Sequence, residues 1–366
     1  MTPPCSNRLL IDADEFKSDV EETIRSAKHR IWVQAMTFEY DAVGHWLLDQ
    51  MRQSPATDKV LCIDAYSLMN VNDGWAFGWR YWRSSTYRAE VNATRAYLKG
   101  KPEDGITRHI TNPLGFGLHR FPGRNHKKML IVDDVAYIGG LNFSDHNFEW
   151  HDMMIRLEDK EIVRQLADDF QHTLAGLNQS RWVDVATDDL YFLDGSHSRE
   201  VYEHLFAQIQ SAKKSIKIIS PYVSDPLLTR LTRLDSHVQV EIITPATNNK
   251  SIMKHYLLAK TRDQPWLIHQ YTGGMSHAKA LLIDDKKLIV GSSNFDFVSY
   301  HLEQEVVCVT QDPVLIDAFT KRVWQADLTQ STLESERRGG HVAAIFIIFV
   351  IGQLMRLLGW LSKKKL

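Results

Sequence analysis

The sequence predicts an α/β protein made of two similar halves, each an α/β/α sandwich with a mixed sheet, which share one active site and precede a C-terminal hydrophobic helix. Three observations predict this class. A histidine–lysine–aspartate motif occurs twice, the helix-strand frame before it also occurs twice, and an apolar segment lies near the C-terminus. We expect the first half at residues 1–185, the second at 186–335 and a membrane-anchoring tail at 336–366.

The repeated frame is a helix followed by a β-rich strand. In both halves a segment with helical apolar spacing ends in Ser-Ala-Lys, at residues 26–28 and 211–213. Buried strands are predicted farther along each half, at 59–65 and 238–244. Helices are predicted after the motifs, at 160–177 and 312–326. Alternating helices and strands in two copies fit two sandwich halves whose motifs face each other.

The duplicated motif reads His-x-Lys-x4-Asp and is the strongest functional signal in the chain. Its residues are His126, Lys128 and Asp133 in the first half and His277, Lys279 and Asp284 in the second. Because side chains alternate along an extended chain, each histidine points to the same side as its lysine. Two such histidines suit a reaction in which one attacks phosphorus and the other protonates the leaving oxygen. The nearly symmetric sequence leaves open which histidine does which.

Other polar residues follow each motif. Asn142 and Asn294 end small-residue turns, where they can donate amide hydrogen bonds to the phosphoryl oxygens beside the lysines. Asp133 and Asp284 complete the motif, but they lie at the far end of the strand, and we interpret them as mainly structural turn or pairing residues. Because lysines and asparagines supply the charge and the donors, the reaction needs no metal or other cofactor.

The residues around both motifs resemble the phospholipase D superfamily, and most closely its cardiolipin synthase-type members. The resemblance is carried by residues 124–126, 139–142 and 150–152 in the first half, and by 291–296 with Glu305 in the second. It covers about residues 10–325 and excludes the tail. Two positions depart from the usual motif: Val298 stands in place of an arginine, and Glu303 stands in place of an asparagine.

The resemblance implies a division of roles. His126 is expected to form a covalent phosphohistidine, and His277 to protonate the leaving alcohol and then activate the incoming one. A carboxylate about one hairpin downstream is expected to orient each imidazole. The candidates are Asp152, which lies 26 residues after His126, and Glu305, which lies 28 after His277. An ordinary solvated strand acid is the alternative for both.

Two segments are candidates for membrane contact. Trp75, Trp79 and Trp82 fall within eight residues; they fit either a helix packing its aromatic face on the core or an interfacial loop. Residues 342–361 are nearly all apolar, with Arg356 and Trp360 near their end, and this length just spans a bilayer. A buried terminal helix or an oligomer contact is the alternative. We expect membrane attachment, spanning or interfacial, with a cytoplasmic catalytic region.

Composition narrows the substrate class. The chain has 43 Lys and Arg against 45 Asp and Glu, a net charge of -2, whereas a non-specific nuclease needs a basic surface. Its three cysteines are too few and scattered for a disulfide framework or a metal cluster. Together with the apolar tail, the charge balance leads us to expect phospholipid substrates and no nucleic-acid partner. The resemblance to cardiolipin synthase-type enzymes implies phosphatidylglycerol as the donor and acceptor. The main alternative activity is phospholipase D hydrolysis of phospholipid headgroups, and a phosphodiesterase or nuclease of the same superfamily is a weaker alternative. The intact motifs disfavour a catalytically dead lipid-binding protein.

Overall fold

The computed structural model describes residues 7–113, 123–334 and 342–363, without the side chains of Ser196 and of 358–363. The strands of its first part are β1 (Arg8–Ile11), β2 (Arg30–Ala35), β3 (Asp58–Asp64), β4 (Asn70–Val71), β5 (Gly74–Trp75), β6 (Thr107–Thr111), β7 (Met129–Val132), β8 (Val135–Gly139) and β9 (Met153–Leu157). The helices there are α1 (Asp12–Ser26), α2 (Ala42–Gln53), α3 (Trp79–Arg83), α4 (Ser85–Lys99), α5 (Asp145–Phe148) and α6 (Lys160–Leu174).

The second part repeats this layout. Its strands are β10 (Arg181–Val185), β11 (Asp188–Asp194), β12 (Ser215–Ile219), β13 (Gln239–Pro245), β14 (Leu267–Tyr271), β15 (Ala280–Ile283), β16 (Lys287–Gly291), β17 (Gln304–Thr310) and β18 (Ser331–Leu333). The helices are α7 (Arg199–Gln210), α8 (Leu227–Leu231), α9 (Ser251–Lys260), α10 (Phe297–His301), α11 (Pro313–Ala318), α12 (Gln325–Thr329) and α13 (Val342–Lys363). A π-helical stretch, Phe319–Trp324, joins α11 to α12.

The two large sheets share one topology. The first has the order β1-β9-β8-β7-β2-β3-β6, and the second contains the matching order β17-β16-β15-β12-β13-β14, extended by β11 and β10 at one edge and by β18 at the other. In both, the motif strand (β7 or β15) is antiparallel to β2 or β12, which is parallel to the next strand along the chain. The predicted α/β class with two similar halves and mixed sheets is confirmed. Strand β10 belongs to the second sheet.

Apolar spacing explains which face each helix buries. Phe16, Val20 and Ile24 recur every four residues along α1 and pack on the outer face of the first sheet. Helices α7 and α9 bury equivalent stripes on the outer face of the second sheet. The motif strands read Met-Leu-Ile-Val and Ala-Leu-Leu-Ile and are buried along their whole length, so each sheet is covered on both faces.

A third apolar core lies between the two sheets and joins the halves. It combines Ile131 of the first sheet and Leu282 of the second with helix α6 and the helix that runs from α11 to α12. Leu166 and Phe319, one from each helical segment, are fully buried there. Because both sheets contribute to this core, their facing sides are held in a fixed relation.

The C-terminal helix α13 packs on the second half. Ala344 and Ile348 are buried against that half, where α13 contacts α9 and α10. The opposite face of α13 is exposed and apolar, and includes Phe346, Val350 and Leu354. Over the part of the chain that the structure describes, no helix combines the length and the apolarity that crossing a membrane would require.

Candidate active site

The four motif residues lie just before the central strands. His126 and Lys128 occupy the extended segment that leads into β7, and His277 and Lys279 occupy the equivalent segment before β15. All four side chains are buried. The equivalent position of the two segments in two similar sheets brings the duplicated motif to one place in the molecule.

His126 is held by a carboxylate from the second half. Both oxygens of Glu305 lie 3.0 Å from Nδ1 of His126. The hydroxyl of Ser299 donates to Glu305 Oε1 (2.7 Å), and that of Ser292 donates to Oε2. A carboxylate in this position accepts a hydrogen bond from the Nδ1–H group and leaves the lone pair of Nε2 free.

His277 is held in the same way by a carboxylate from the first half. Its Nδ1 lies 2.8 Å from Asp152 Oδ2 and 2.8 Å from Lys279 Nζ. Asp152 in turn packs against Gly140, where an added Cβ would collide with the carboxylate. Glycine at this turn therefore makes room for the acid that orients His277.

Backbone pairing explains why the acids are exchanged between halves. The N–H of His126 donates to the carbonyl of Gln304 (2.9 Å), and the N–H of His277 donates to the carbonyl of His151 (2.7 Å). Each acid directly follows the bonded residue in sequence, so each bridge brings the acid of one half beside the histidine of the other. The expectation that each acid serves the histidine of its own half is wrong, because these contacts cross between the halves.

Both lysines bond to the backbone of their own histidine, and Lys279 also approaches the ring of His277. Lys128 donates to the carbonyl of His126 (2.7 Å), and Lys279 donates to the carbonyl of His277. Burial lowers the pKa of Lys128 to about 7 and that of Lys279 to about 8, although nearby carboxylates oppose this effect. A bound phosphodiester anion favours the ammonium form, so substrate binding and protonation of these lysines are linked.

Burial lowers the pKa of both imidazoles, so both are neutral near pH 7. Burial, with the charge of Lys279, lowers the pKa of His277 to about 3. Burial, with the charge of Lys128, holds the pKa of His126 well below its usual value. The charge of Lys279 also acts on His126, and that of Lys128 on His277. The two motifs therefore share one electrostatic environment, in which either neutral imidazole can act as a nucleophile or as a base.

The two orienting carboxylates differ in their protonation behaviour. Burial raises the pKa of Glu305, and the charge of Lys128 does not fully offset this effect. Burial acts the same way on Asp152, but Lys279 and His277 outweigh it and hold the pKa of Asp152 below its ordinary value. Asp152 is thus the acid that stays ionised, so the site is less symmetric than the sequence.

The asparagines lie beside the motifs with different partners. Asn142 is buried, and its Oδ1 accepts a hydrogen bond from the N–H of Thr37 (3.2 Å). Asn294 is also buried, and its Oδ1 has no partner among the described residues. The backbone carbonyl of Asn294 accepts from the hydroxyl of Ser220 (2.8 Å), which fixes the turn. Oδ1 of Asn142 is therefore engaged, whereas Oδ1 of Asn294 is an acceptor that can pair with a donor group but not with a phosphoryl oxygen.

Asp133 and Asp284 lie away from the histidines, at the other end of the motif strands. Asp133 accepts hydrogen bonds from the backbone N–H groups of Lys28, His29 and Arg30 (2.7–2.9 Å). Asp284 accepts from the N–H groups at 213–215 over the same range of distances. Each aspartate thus ties the motif strand to the turn that follows the Ser-Ala-Lys segment, a structural position in both halves.

Glu303, one of the two departures from the usual motif, lies inside the site. Its Oε2 is 4.0 Å from Nδ1 of His126, and it accepts a hydrogen bond from Ser299 (3.3 Å). Burial, reinforced by Glu305 and Asp296, raises the pKa of Glu303 to about 7, against the opposing effect of His126. Its place two residues before Glu305 on one strand is the signal that could have identified it, since such residues share a face.

Among the described residues, one group has the donors and spacing for a metal ion: His126, Glu303 and Glu305. Carboxylate and imidazole donors suit a divalent transition metal. A cation coordinated by His126 would draw electron density from the imidazole and weaken it as a nucleophile. We therefore interpret the group as part of the catalytic machinery, where a metal would inhibit the reaction.

Three further residues contact the site without belonging to either motif. The ring of Trp150 lies 5.2 Å from that of His277, and the ring of Tyr222 lies 6.3 Å from it. Lys250 Nζ lies 4.4 Å from the ring centroid of Tyr222, and its charge acts on His126. Trp150 lies in the segment 150–152 that carries the family resemblance, whereas Tyr222 and Lys250 come from segments distant in sequence that carry no local signal.

The membrane-contact candidates lie outside the catalytic pocket. Trp79 and Trp82 on α3 are 71% and 70% exposed, and Trp75 is exposed as well. The alternative that these rings pack on the core is wrong, because α3 has no buried residue. Arg356 lies on α13 and donates to Nε2 of His301 (3.1 Å). The side chain of Trp360 lies outside the described residues.

Buried histidines that share an electrostatic environment, with exchanged carboxylates and adjacent lysines, define an enzyme that transfers phosphodiester-linked groups through histidine. A family model described as "Cardiolipin synthase, PLD-like domain" matches residues 20–174 and 205–326, one segment in each half. The chain belongs to this family, and is a phosphatidyltransferase-type enzyme of the phospholipase D superfamily.

Similar proteins agree with this family. Cardiolipin synthase 1 of Bacillus anthracis is 28% identical over 365 residues, which cover 89% of this chain and 67% of that protein. The minor cardiolipin synthase ClsB of Bacillus subtilis is 27% identical over 261 residues, or 63% of each chain. The chain thus spans about two thirds of the length of these relatives. The crystal structure of phosphatidylserine synthase from Haemophilus influenzae has the same fold, with a TM-score of 0.68, 16% identity and coverage of 96% of this chain and 95% of that one.

Proposed function

We propose that the protein is a membrane-associated phosphatidyltransferase of cardiolipin synthase type that uses phosphatidylglycerol as donor and acceptor. The proposal is carried by the two buried histidine–carboxylate pairs, His126 with Glu305 and His277 with Asp152. Similarity to cardiolipin synthases supports a lipid substrate, and the net charge of -2 argues against nucleic acid.

The first half-reaction forms a phosphatidyl-histidine. Nε2 of His126 attacks phosphorus, a P–N bond forms, and the P–O bond to the headgroup breaks. The leaving oxygen takes a proton from His277, which binding of the phosphodiester anion has helped to protonate. In the second half-reaction His277 accepts the proton of the incoming hydroxyl, whose oxygen attacks phosphorus as the P–N bond breaks.

The different pKa shifts of Asp152 and Glu305 support these roles for the two histidines. An ionised carboxylate stabilises an imidazolium, and Asp152 is the acid whose pKa is held low. His277, its partner, is therefore better suited to carry a proton. Glu305, whose pKa is raised, stabilises a positive charge less well and mainly orients His126. Lys128 and Lys279 neutralise the phosphoryl oxygens, where charge develops as phosphorus is attacked.

Exposed apolar residues support membrane association. Phe77, Trp79 and Trp82 project from the segment around α3, and aromatic rings of this kind favour the membrane boundary. Trp75 at the base of that segment lies 5.9 Å from the ring of Tyr66, whose phenol is close enough to Glu303 to be affected by its charge. The aromatic segment thus lies on the same side of the molecule as Glu303 and the catalytic pocket.

The tail is the second element of the membrane proposal. Because α13 lies along the second half with one apolar face outward, we favour an interfacial helix that holds the catalytic region at the cytoplasmic surface. Removing residues 339–366 should release the protein from sedimenting membranes. Retention of the truncated protein on membranes would assign the attachment to another part of the chain.

Product analysis by lipid mass spectrometry tests the enzymatic proposal. Vesicles of phosphatidylglycerol should yield cardiolipin and glycerol with the parent protein, and neither with His126→Asn or His277→Asn. The exposed His29, changed to asparagine, is the matched control and should retain activity. Phosphatidic acid without cardiolipin would instead identify a phospholipase D hydrolase, and an active His126→Asn variant would contradict the two-histidine mechanism.

A substrate with a good leaving group separates the roles of the histidines. A p-nitrophenyl phosphodiester releases its phenolate without protonation, so the general acid is not needed in the first step. The His277→Asn variant should therefore release one equivalent of nitrophenolate in a burst and accumulate the phosphohistidine, whereas His126→Asn should release none. The opposite pattern would reverse the assignment.

A further inference from the structure

A cleft of about 420 Å³ lies between α13 and the body of the second half, apart from the catalytic pocket. Residues of α8, α9, α10 and α13 line it, and no motif residue does. Its volume falls in the range of small-ligand sites, which run from about 300 to 1,000 Å³. The cleft is large enough for a polar headgroup but too small to enclose a two-chain lipid.

The rim of the cleft carries an excess of positive charge. Lys260 pairs with Asp225 (2.9 Å), and Arg230 pairs with an acid outside the cleft (2.5 Å). Two more arginines, Arg233 and Arg356, complete the rim, and neither forms an ion pair with an acid among the described residues. Two guanidinium groups are thus available for an anion, and guanidinium geometry suits a phosphate.

The contact of Arg356 shows that this charge is not neutralised locally. Its Nε donates to Nε2 of His301 (3.1 Å), which therefore presents a lone pair and is uncharged. Burial, with the charge of Arg356, lowers the pKa of His301 to about 4. The histidine positions the guanidinium at the cleft without cancelling its charge.

Apolar residues line another part of the cleft. Phe297 of α10 and Ile345, Ile348 and Phe349 of α13 line it. Phe349 is also exposed at the outer surface, where it continues into the apolar outward face of α13. A ligand with an anionic head and a hydrocarbon tail could therefore place its head at the arginines and its chains along α13.

We propose that this cleft is a second, non-catalytic phospholipid site, which binds the anionic headgroup of a membrane lipid while the acyl chains stay along the outward face of α13. Charge complementarity selects an anionic phospholipid over a zwitterionic one. The continuous apolar path from cleft to surface selects a lipid over a soluble anion. The proposal concerns binding alone, so it stands or fails separately from the catalytic assignment.

Vesicle sedimentation of the full chain tests the site. The measurement uses phosphatidylcholine vesicles with or without phosphatidylserine, in a His126→Asn background so that turnover cannot alter the lipids. The parent should prefer the anionic vesicles, and Arg233→Gln with Arg356→Gln should lower its partition onto them about 30-fold, as expected for two basic residues at a lipid surface. The matched control is Arg25→Gln with Lys99→Gln, two exposed cations on other helices; this pair should change partition far less.

A cavity-filling variant tests the cleft without altering charge. Gly352 faces it, and an added Cβ would approach only Phe297 (3.9 Å), so Gly352→Leu can fold while occupying the space. This variant should lose the preference for anionic vesicles. An equal loss of partition onto anionic vesicles in the control pair, or an unchanged preference for these vesicles in Gly352→Leu, would overturn the proposal of a lipid site. If Arg233→Gln with Arg356→Gln weakened the binding of inorganic phosphate in solution but left partition onto anionic vesicles unchanged, the cleft would bind a soluble anion and the lipid assignment would be overturned.

Discussion

Replacing Glu303 by glutamine should make the protein more stable, and the gain should depend on pH. Glu303 is buried beside Glu305 and Asp296, and its pKa rises from 4.5 to about 7 in the folded protein. A tenfold change in a protonation equilibrium corresponds to about 1.4 kcal/mol, so ionised Glu303 costs the folded state about 3 kcal/mol. Glutamine has nearly the same shape and can still accept from Ser299, so the substitution removes the charge without opening a cavity.

The direction of the pH dependence of stability follows from how many protons the folded and unfolded states bind. Between pH 4.5 and 7 the folded protein keeps the proton on Glu303 while the unfolded chain has released it, so the stability of the parent falls as pH rises through this window. Below pH 4.5 the carboxyl is protonated in both states, and the variant should match the parent. Above pH 7 the variant should be more stable by about 3 kcal/mol.

Urea unfolding followed by tryptophan fluorescence at pH 4, 5, 6, 7 and 8 measures the difference as a shift in midpoint at constant slope. Glu22→Gln, on the exposed side of α1, is the control and should show only a small difference throughout. A gap that stays constant with pH, or that widens toward acid, would refute the argument that burial holds the proton on Glu303.

Three other predictions follow from the site. Asp152→Asn should lower kcat for the lipid substrate by about 10² to 10⁴ but should spare the burst release of p-nitrophenolate. Glu305→Gln should impair that burst. Loss of both reactions in each variant would contradict the division of roles between the two histidines. Activity should survive a chelator, and added Zn²⁺ should inhibit the parent more than Glu303→Gln; equal inhibition would exclude the His126 cluster as the metal site. Asp133→Ala should lower the free energy of unfolding by about 1–3 kcal/mol with kcat retained, because its carboxylate binds three backbone N–H groups away from the histidines; a large loss of kcat in folded protein would assign it a catalytic role.

Local sequence patterns predicted the fold and much of the site. The strands expected at 59–65 and 238–244 lie at Asp58–Asp64 and Gln239–Pro245, since apolar β-rich runs determine such strands within a residue or so. The family resemblance and the spacing after the motifs indicate Asp152 and Glu305 as candidate orienting acids, with an ordinary solvated strand acid as the alternative. Which histidine each acid contacts was not predictable, because bridges between distant segments, such as that of Asn125 with Gln304, decide it.

The environment of Glu303 was also beyond local patterns. Its neighbours Asp296 and His126 approach from different loops, and its pKa depends on their distances and on burial. The exposure of Trp79 and Trp82 illustrates the same limit, because a cluster of aromatic residues has the same sequence whether it packs on the core or projects from it. Sequence patterns report periodicity along the chain, whereas the pKa of Glu303 and the exposure of the tryptophans depend on which distant residues pack against them.

The exchange of acids makes catalysis depend on how the halves are joined. Leu166 of α6 lies in the core between the sheets, while Leu47 of α2 lies in the outer core of the first half, and both are fully buried. Alanine at either position should cost about 2–5 kcal/mol of stability. Only Leu166→Ala disturbs the relation between the sheets, and a displacement of about 1 Å between reacting groups can cost about 100-fold in rate. Folded Leu166→Ala should therefore lose kcat, and folded Leu47→Ala should keep it; equal kcat values would show that the backbone bridges alone hold the acids in place.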